Sequence, residues 1–361
     1  MTDPIRSGSS RNPSLDFDPP PPAPPASGVK LATKVGEVGL GASIDGMEEL
    51  QAPPATTATA AAYASFVRAQ TTPVPAYTVT AQTSAVQAKL DAFLRTATPT
   101  YRLPDGSTVD VPAFFRMAPP AYESKNLEAN RGPRDAVAAK LGVGANFDTG
   151  RAPLSAIRTV TQGLIDAGRL PKGVDVVKAV RTMSWDHGVG IDCAGYVQKA
   201  LFASKGGDAA KYGLKSLGDE DLMGLATNAK WHAFSVTQAR PGDVLTLARN
   251  GDSGHAAIVY ENVLASPVQR EALQKQMKSE PDRDARVDMV LRDPKLHVIQ
   301  LDSSWGTGDK VLPGGGVQRR TWLFGEGTGW VCDDAVGAHR FDGATPRGHV
   351  LGGTFRPKGE T

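Results

Sequence analysis

The sequence predicts an α+β fold in which a helix bearing a cysteine packs on an antiparallel sheet bearing a histidine. Three observations predict it. Gly190-Ile191-Asp192-Cys193-Ala194-Gly195-Tyr196-Val197 reads as a helix start, with Asp192 as N-cap and Cys193, Val197, Ala200 and Leu201 on one apolar face. Beyond it, short runs rich in Val, Ile, Leu and Thr alternate with Gly, Asp and Pro turns, the pattern of antiparallel strands. The third observation is compositional: 361 residues, 40% of them hydrophobic, suffice for a substantial core, and no internal repeat divides the chain.

In chain order, residues 1–83 form a disordered arm and linker. Ser, Pro and Asp dominate to about Val29, with proline runs at Pro19 to Pro22 and Pro24-Pro25, and Ala, Thr and Pro dominate from Pro53 to Thr80 with one short helix near Ala61 to Arg68. Order sets in at Ser84, where Ser84-Ala85-Val86-Gln87 is a capping box and Val86, Leu90, Phe93 and Leu94 line a helix. Tyr101 to Leu103 and Val109 to Val111 flank the turn Pro104-Asp105-Gly106-Ser107 as a hairpin. Helical stripes follow at Ile157, Val160, Leu164 and Ile165, ending near Gly168, and at Val174 to Met183. Residues 84–173 are thus a helical accessory or cap layer, and 174–361 the domain that carries the chemistry.

After the cysteine helix, Arg240-Pro241-Gly242-Asp243 turns into the strand Val244 to Leu247. Asn250-Gly251-Asp252-Ser253-Gly254 turns back into His255 to Tyr260, so the two runs pair as a hairpin. An inserted helix at about Pro267 to Lys278 precedes the strand Lys295 to Asp302. Further strands are expected at Arg319 to Phe324, Trp330 to Cys332, His349 to Leu351 and Thr354 to Arg356, with Gly314-Gly315-Gly316 as a turn.

Composition excludes several functions. A net charge of +2 from 40 basic and 38 acidic residues leaves no footprint for nucleic acid. No apolar run approaches the length of a membrane span, and the first residues have no signal-peptide core, so synthesis in the cytoplasm without a cleaved leader is expected. Two cysteines, Cys193 and Cys332, exclude a disulfide framework, and Cys332 reads as a small buried hydrophobe. The six histidines show no metal-ligand spacing, so no metal or other cofactor is expected.

A helix N-terminus favours a thiolate and offers amides to an oxyanion, which makes Cys193 a candidate nucleophile. Nucleophilic cysteine chemistry also needs an imidazole and a polar group to fix its tautomer. His255, opening a strand, is the candidate base; Asp302 is the candidate orienting group, with Gln300 in reserve on the same strand face. Each has a plainer reading as buried thiol, loop histidine and turn carboxylate.

Together these residues carry a resemblance. Ile191-Asp192-Cys193-Ala194-Gly195-Tyr196-Val197 resembles the Asp-Cys-Ser-Gly signature of the NlpC family, papain-like bacterial cell-wall cysteine peptidases related to the CHAP amidases. Arg240-Pro241-Gly242-Asp243-Val244 and Gly254-His255-Ala256-Ala257-Ile258-Val259 resemble that family's second block. The resemblance covers roughly Val174 to Trp305 and implies a papain-like fold, Cys193 as nucleophile, His255 as base, Asp302 as orienter and no cofactor. Ala194 and Ala257 stand where the family usually has serine and glycine, and Asp302 where it often has histidine. The family's aromatic and paired-glycine segment before the cysteine corresponds to Met183-Ser184-Trp185-Asp186-His187-Gly188, so Trp185, His187, Asp192 and Ala194 are candidate substrate or oxyanion positions.

The activity this implies is hydrolysis of peptidoglycan-peptide amides through a thioester. Because that substrate lies outside the cytosol, a secreted antibacterial effector with an immunity or inhibitor partner is expected, reaching the periplasm of a target cell by a specialised secretion route. Two alternatives remain: a cysteine acyltransferase or deamidase acting on a protein or small molecule, and a non-catalytic module of a phage or secretion particle.

Overall fold

The computed structural model describes residues 84–116, 124–214, 225, 228–249, 252–277, 285–305, 315–333, 337–340 and 349–359. The expected arm and linker, and the Asn250-Gly251 turn, lie outside them. The described residues form a mixed α+β structure built on an antiparallel sheet.

Helix α1 (Ala85–Thr96) begins at the expected capping box: the Gln87 amide donates to the Ser84 hydroxyl and the Ser84 amide to the Gln87 side chain. The hairpin β1 (Thr100–Arg102) and β2 (Thr108–Asp110) follows. Then come α2 (Leu127–Lys140), α3 (Leu154–Asp166), α4 (Val176–Asp186) and the cysteine helix α5 (Cys193–Lys205). One core joins these helices to the sheet, running from Leu90 and Val160 through Val197 and Leu201 to Val244, Ile258 and Phe355. Residues 84–173 therefore pack as a layer on the same core as the rest.

The main sheet contains β3 (Trp231–Phe234), β4 (Val244–Arg249), β5 (Asp252–Leu264), β6 (Leu296–Trp305), β7 (Gly316–Gly325), β8 (Trp330–Asp333), β9 (Gly337–Arg340) and β10 (His349–Pro357). Their order is β3-β10-β4-β5-β6-β7-β8-β9. The last strand in sequence is thus an inner strand, pairing with β3 on one side and β4 on the other. A register shift between Leu351 and Gly353 joins what the sequence suggested as two short strands. Where one inserted helix was expected there are two, α6 (Pro267–Met277) and α7 (Ala285–Arg292).

Successive residues of a strand point to opposite faces, and paired residues share a face. Val244 pairs with Ile258, Ile258 with Asp302, and Ser304 with Val317. These residues lie on the face covered by α1 and α5. The other face carries Leu245, Ala257, Val259, Leu301, Trp305 and Trp322, a second core capped by Val236 and Ala239. A third core, Leu296, Val298 and Leu323 with Val287, Val290 and Leu291, places α7 on the α1/α5 face. Strands β9 and β10, at separate positions in the sheet order, come within 8 Å of each other, so the sheet curls. Among the described residues, α1, α5 and α7 pack on one face of the sheet, and Trp305 and Trp322 lie on the other.

Candidate functional site

Cys193 is the first residue of α5 and is 6% exposed. Its helix starts as expected: Asp192 is extended, accepts the Gly195 amide at 2.5 Å and accepts the Tyr196 amide through its carbonyl. The Asp192 carboxylate also meets Arg151 Nε at 2.8 Å. Lys199, one side of the same helix, donates to the Arg151 carbonyl, and burial lowers its amine to about 8.

Close backbone approaches fix the loop before the cysteine. Ile191 donates to Phe114 O at 2.9 Å, Arg116 donates to Ile191 O, and the Ser304 hydroxyl donates to that same oxygen at 2.7 Å. Asp192 donates to Gly150 O at 2.9 Å. A Cβ at Gly190 would collide with Phe114 O, and one at Gly150, whose φ is +67°, would collide with Arg116 O. A Cβ at Gly195 would stand 3.0 Å from Gly150 O. Glycine is needed at these positions because backbone, which cannot swing away, occupies the space. The cysteine turn is therefore clamped between residues 113–116, residues 148–151 and the end of β6.

Trp185, 8% exposed, packs edge-on against Phe114, with ring centroids 5.8 Å apart. The tryptophan thus supports the segment that holds Ile191. His187 departs from its expected place as a loop residue able to touch substrate. It is 4% exposed at the end of α4, its Nδ1 2.9 Å from the Met183 carbonyl, and burial lowers its pKa. Ala194 is fully buried in the helical core, so only its backbone amide is available to an oxyanion site.

His255 lies near the start of β5 and is 3% exposed. Its neighbour Ala256 shares the core with α5; His255 itself projects to the opposite face, with its ring centroid 4.5 Å from that of Trp305. Asp302 is on the α5 face, opposite Ile258, and the expected Asp302 to His255 pair is not formed. Its two oxygens instead take Arg319 Nε at 2.6 Å and NH2 at 2.9 Å. Arg319 reaches Asp91 of α1 at 2.9 Å as well and lies over the Tyr260 ring, whose hydroxyl donates to Asp91. Burial pushes the Asp302 carboxyl up, with Arg319 opposing; the same two carboxylates hold the Arg319 guanidinium firmly protonated. Gln300, opposite Thr321, shares Asp302's face and lies further from His255 along β6. Strand parity sets this arrangement: Asp302 and Gln300 alternate with Leu301, Ser303 and Trp305 along β6, and His255 is in phase with Trp305.

Sequence reasoning missed Arg319, which occupies Asp302, and Asp91 and Tyr260, which hold Arg319. It also missed Ser304, Gly150 and Phe114, which hold the cysteine turn. Gly190 was the available signal for close backbone approach. Among the described residues, no group of three or more His, Cys, Asp or Glu is placed to hold a metal ion, and no helix is long and apolar enough to cross a membrane. No family model, curated protein or solved structure matches the chain, and the likeness to the NlpC family rests on the residues quoted for it.

Proposed function

We propose that the chain is a papain-like cysteine hydrolase that cleaves amide bonds in peptidoglycan peptides. The observation that carries this reading is Cys193 at the first position of an Asp192-capped helix, held by a backbone clamp over the sheet whose strand bears His255. The positive end of α5 favours the thiolate. Its sulfur attacks the scissile carbonyl carbon, and the carbonyl electrons move to oxygen, where first-turn amides stabilise them. Collapse of this intermediate breaks the C–N bond, with His255 giving its proton to the leaving amine. Water then attacks the thioester, His255 takes the water's proton, and the thiolate departs.

The substrate class sets the site of action in the cell-wall compartment of a target cell, reached by a specialised secretion route, with an immunity or inhibitor protein as partner.

The test is mass spectrometry of purified sacculi incubated with the wild type, Cys193→Ala and His255→Ala. The wild type is expected to release fragments with a new amine and a new carboxyl end. Cys193→Ala is expected to release none, and His255→Ala on the order of a hundredfold fewer. Intact sacculi after treatment with folded wild type would remove the hydrolase reading. A second reading, a binding module in which Cys193 is a packing residue, is favoured by the enclosure of His255 against Trp305 and the occupation of Asp302 by Arg319. It predicts that Cys193→Ala retains the protein's effect on cells.

A further inference from the structure

His187 ends α4 and is enclosed there, yet one of its ring nitrogens has nothing to bond. The residue is 4% exposed, and its Nδ1 lies 2.9 Å from the Met183 carbonyl. A carbonyl only accepts, so Nδ1 carries the proton and Nε2 presents a lone pair. Nε2 is buried and has no hydrogen-bond partner among the described residues. The imidazole is thus held neutral, because a second proton would create a buried cation whose new N–H has no acceptor.

The surroundings oppose that proton as well. Burial is the largest influence and lowers the His187 pKa, and Arg134 of α2 and Arg169, just past α3, push the same way. Asp186, its neighbour on α4, favours the proton, but that carboxylate already accepts from the Ser124 hydroxyl and from the Asn126 amide at 3.1 Å. His187 is also the joint between α4 and the cysteine turn. Gly188, at φ +63°, reverses the chain, the Val189 amide closes onto Ser184 O at 2.9 Å, and Ile191 then enters the backbone clamp. Arg134 couples joint and clamp: it donates to the His187 carbonyl at 3.4 Å and to the Asp148 carboxylate at 3.0 Å, and the Asp148 carbonyl accepts from Arg116.

We propose that His187 is an acid-sensitive latch, whose protonation opens the joint between α4 and α5 and loosens the clamp on the cysteine turn. The proton comes from solvent and goes to Nε2. The resulting imidazolium repels Arg134, the side chain that holds His187 O and Asp148 together. In the closed joint His187 takes a proton less readily than in an opened chain, so the closed form is favoured above the ordinary histidine value of 6.5 and loses ground as pH falls below it. The latch acts on the backbone of the cysteine turn and does not depend on the hydrolase reading.

Hydrogen–deuterium exchange of the full chain, read by mass spectrometry and corrected for the intrinsic pH dependence of amide exchange, is compared at pH 7 and pH 5. Protection of residues 187–193 is expected to fall about tenfold more than that of α1 over this interval. His187→Gln keeps a donor for the Met183 carbonyl and takes up no proton, so its residues 187–193 are expected to change no more than α1. In the wild type labelled with 13C-histidine, the resonance that His187→Gln removes is expected to titrate below the ordinary histidine value. The proposal is overturned if residues 187–193 and α1 lose protection alike, if His187→Gln shows the wild-type fall, or if the His187 resonance titrates at or above the ordinary value. The wild-type exchange comparison decides the matter even should His187→Gln fold poorly.

Discussion

Replacing Arg319 by methionine removes the cation that joins three elements. Asp302 is fully buried and loses both hydrogen bonds, at 2.6 and 2.9 Å. Breaking a buried pair from one side costs about 3–5 kcal/mol, because a desolvated charge is left behind. Asp91 is part-exposed, and its loss adds roughly 0–1 kcal/mol. The lost stacking on Tyr260 adds about 0.5–1 kcal/mol. The sum, about 3.5–7 kcal/mol, is a large share of a typical domain's stability. The loss is also pH-dependent. Folded Asp302 already titrates above its ordinary value, so the stability of its protonated form is present at low pH and lost as pH rises through the folded pKa. Without Arg319 that pKa rises further, so Arg319→Met is expected to be least damaging near pH 4 and most damaging at neutral pH. Urea unfolding followed by circular dichroism at pH 4, 5.5 and 7 measures this. Adding Asp302→Leu is expected to recover most of the loss at pH 7, since an apolar pair of similar volume often replaces a buried ion pair without penalty. A cost below about 1 kcal/mol at pH 7, or one that is flat with pH, would refute the reasoning.

Gly190→Ala is expected to lower the melting temperature more than Gly168→Ala, because a Cβ at 190 meets the fixed Phe114 carbonyl whereas one at Gly168 meets open space and costs only about 1–2 kcal/mol of backbone strain. Asp192→Ala removes the α5 cap and the Arg151 pair and is expected to destabilise by about 1–2 kcal/mol in thermal unfolding. Burial lowers Lys199 to about 8, below its unfolded value, so the unfolded chain binds the extra proton between about pH 8 and its ordinary pKa. The urea midpoint of the wild type is therefore expected to rise over that window relative to Lys199→Met, and parallel pH profiles for the two proteins would count against the shift.

Local signals in the sequence carried most elements to the right place. Ser84 and Gln87 announce α1, Asp192 announces α5, and the Pro104 to Ser107 turn announces the first hairpin, because each depends on bonds within a few residues. Helix α2 was not among the expected elements; it carries Gly132-Pro133 in its interior, where proline ordinarily breaks a helix. The cysteine's placement was legible, while the partners proposed for it were not. His255 to Val259 is buried on both faces of the sheet, so the segment lacks the alternation of polar and apolar residues that tells which face a side chain takes. Asp302 was misread for a related reason: its partner Arg319 lies on the next strand, and register across β6 and β7 has no local mark.

The position of β10 has a consequence for the order in which the molecule assembles. Strand β4 is made more than a hundred residues before the strand that lies beside it, and β3 reaches the sheet only through β10. Until residues 349–357 have emerged from the ribosome, β4 is an open edge with unpaired amides and carbonyls, the kind of surface on which nascent chains join one another. Closure of the sheet is thus a late event that spans most of the domain. A fusion or truncation near residue 349 should therefore show itself first as aggregation during synthesis, well before any effect on the cysteine helix.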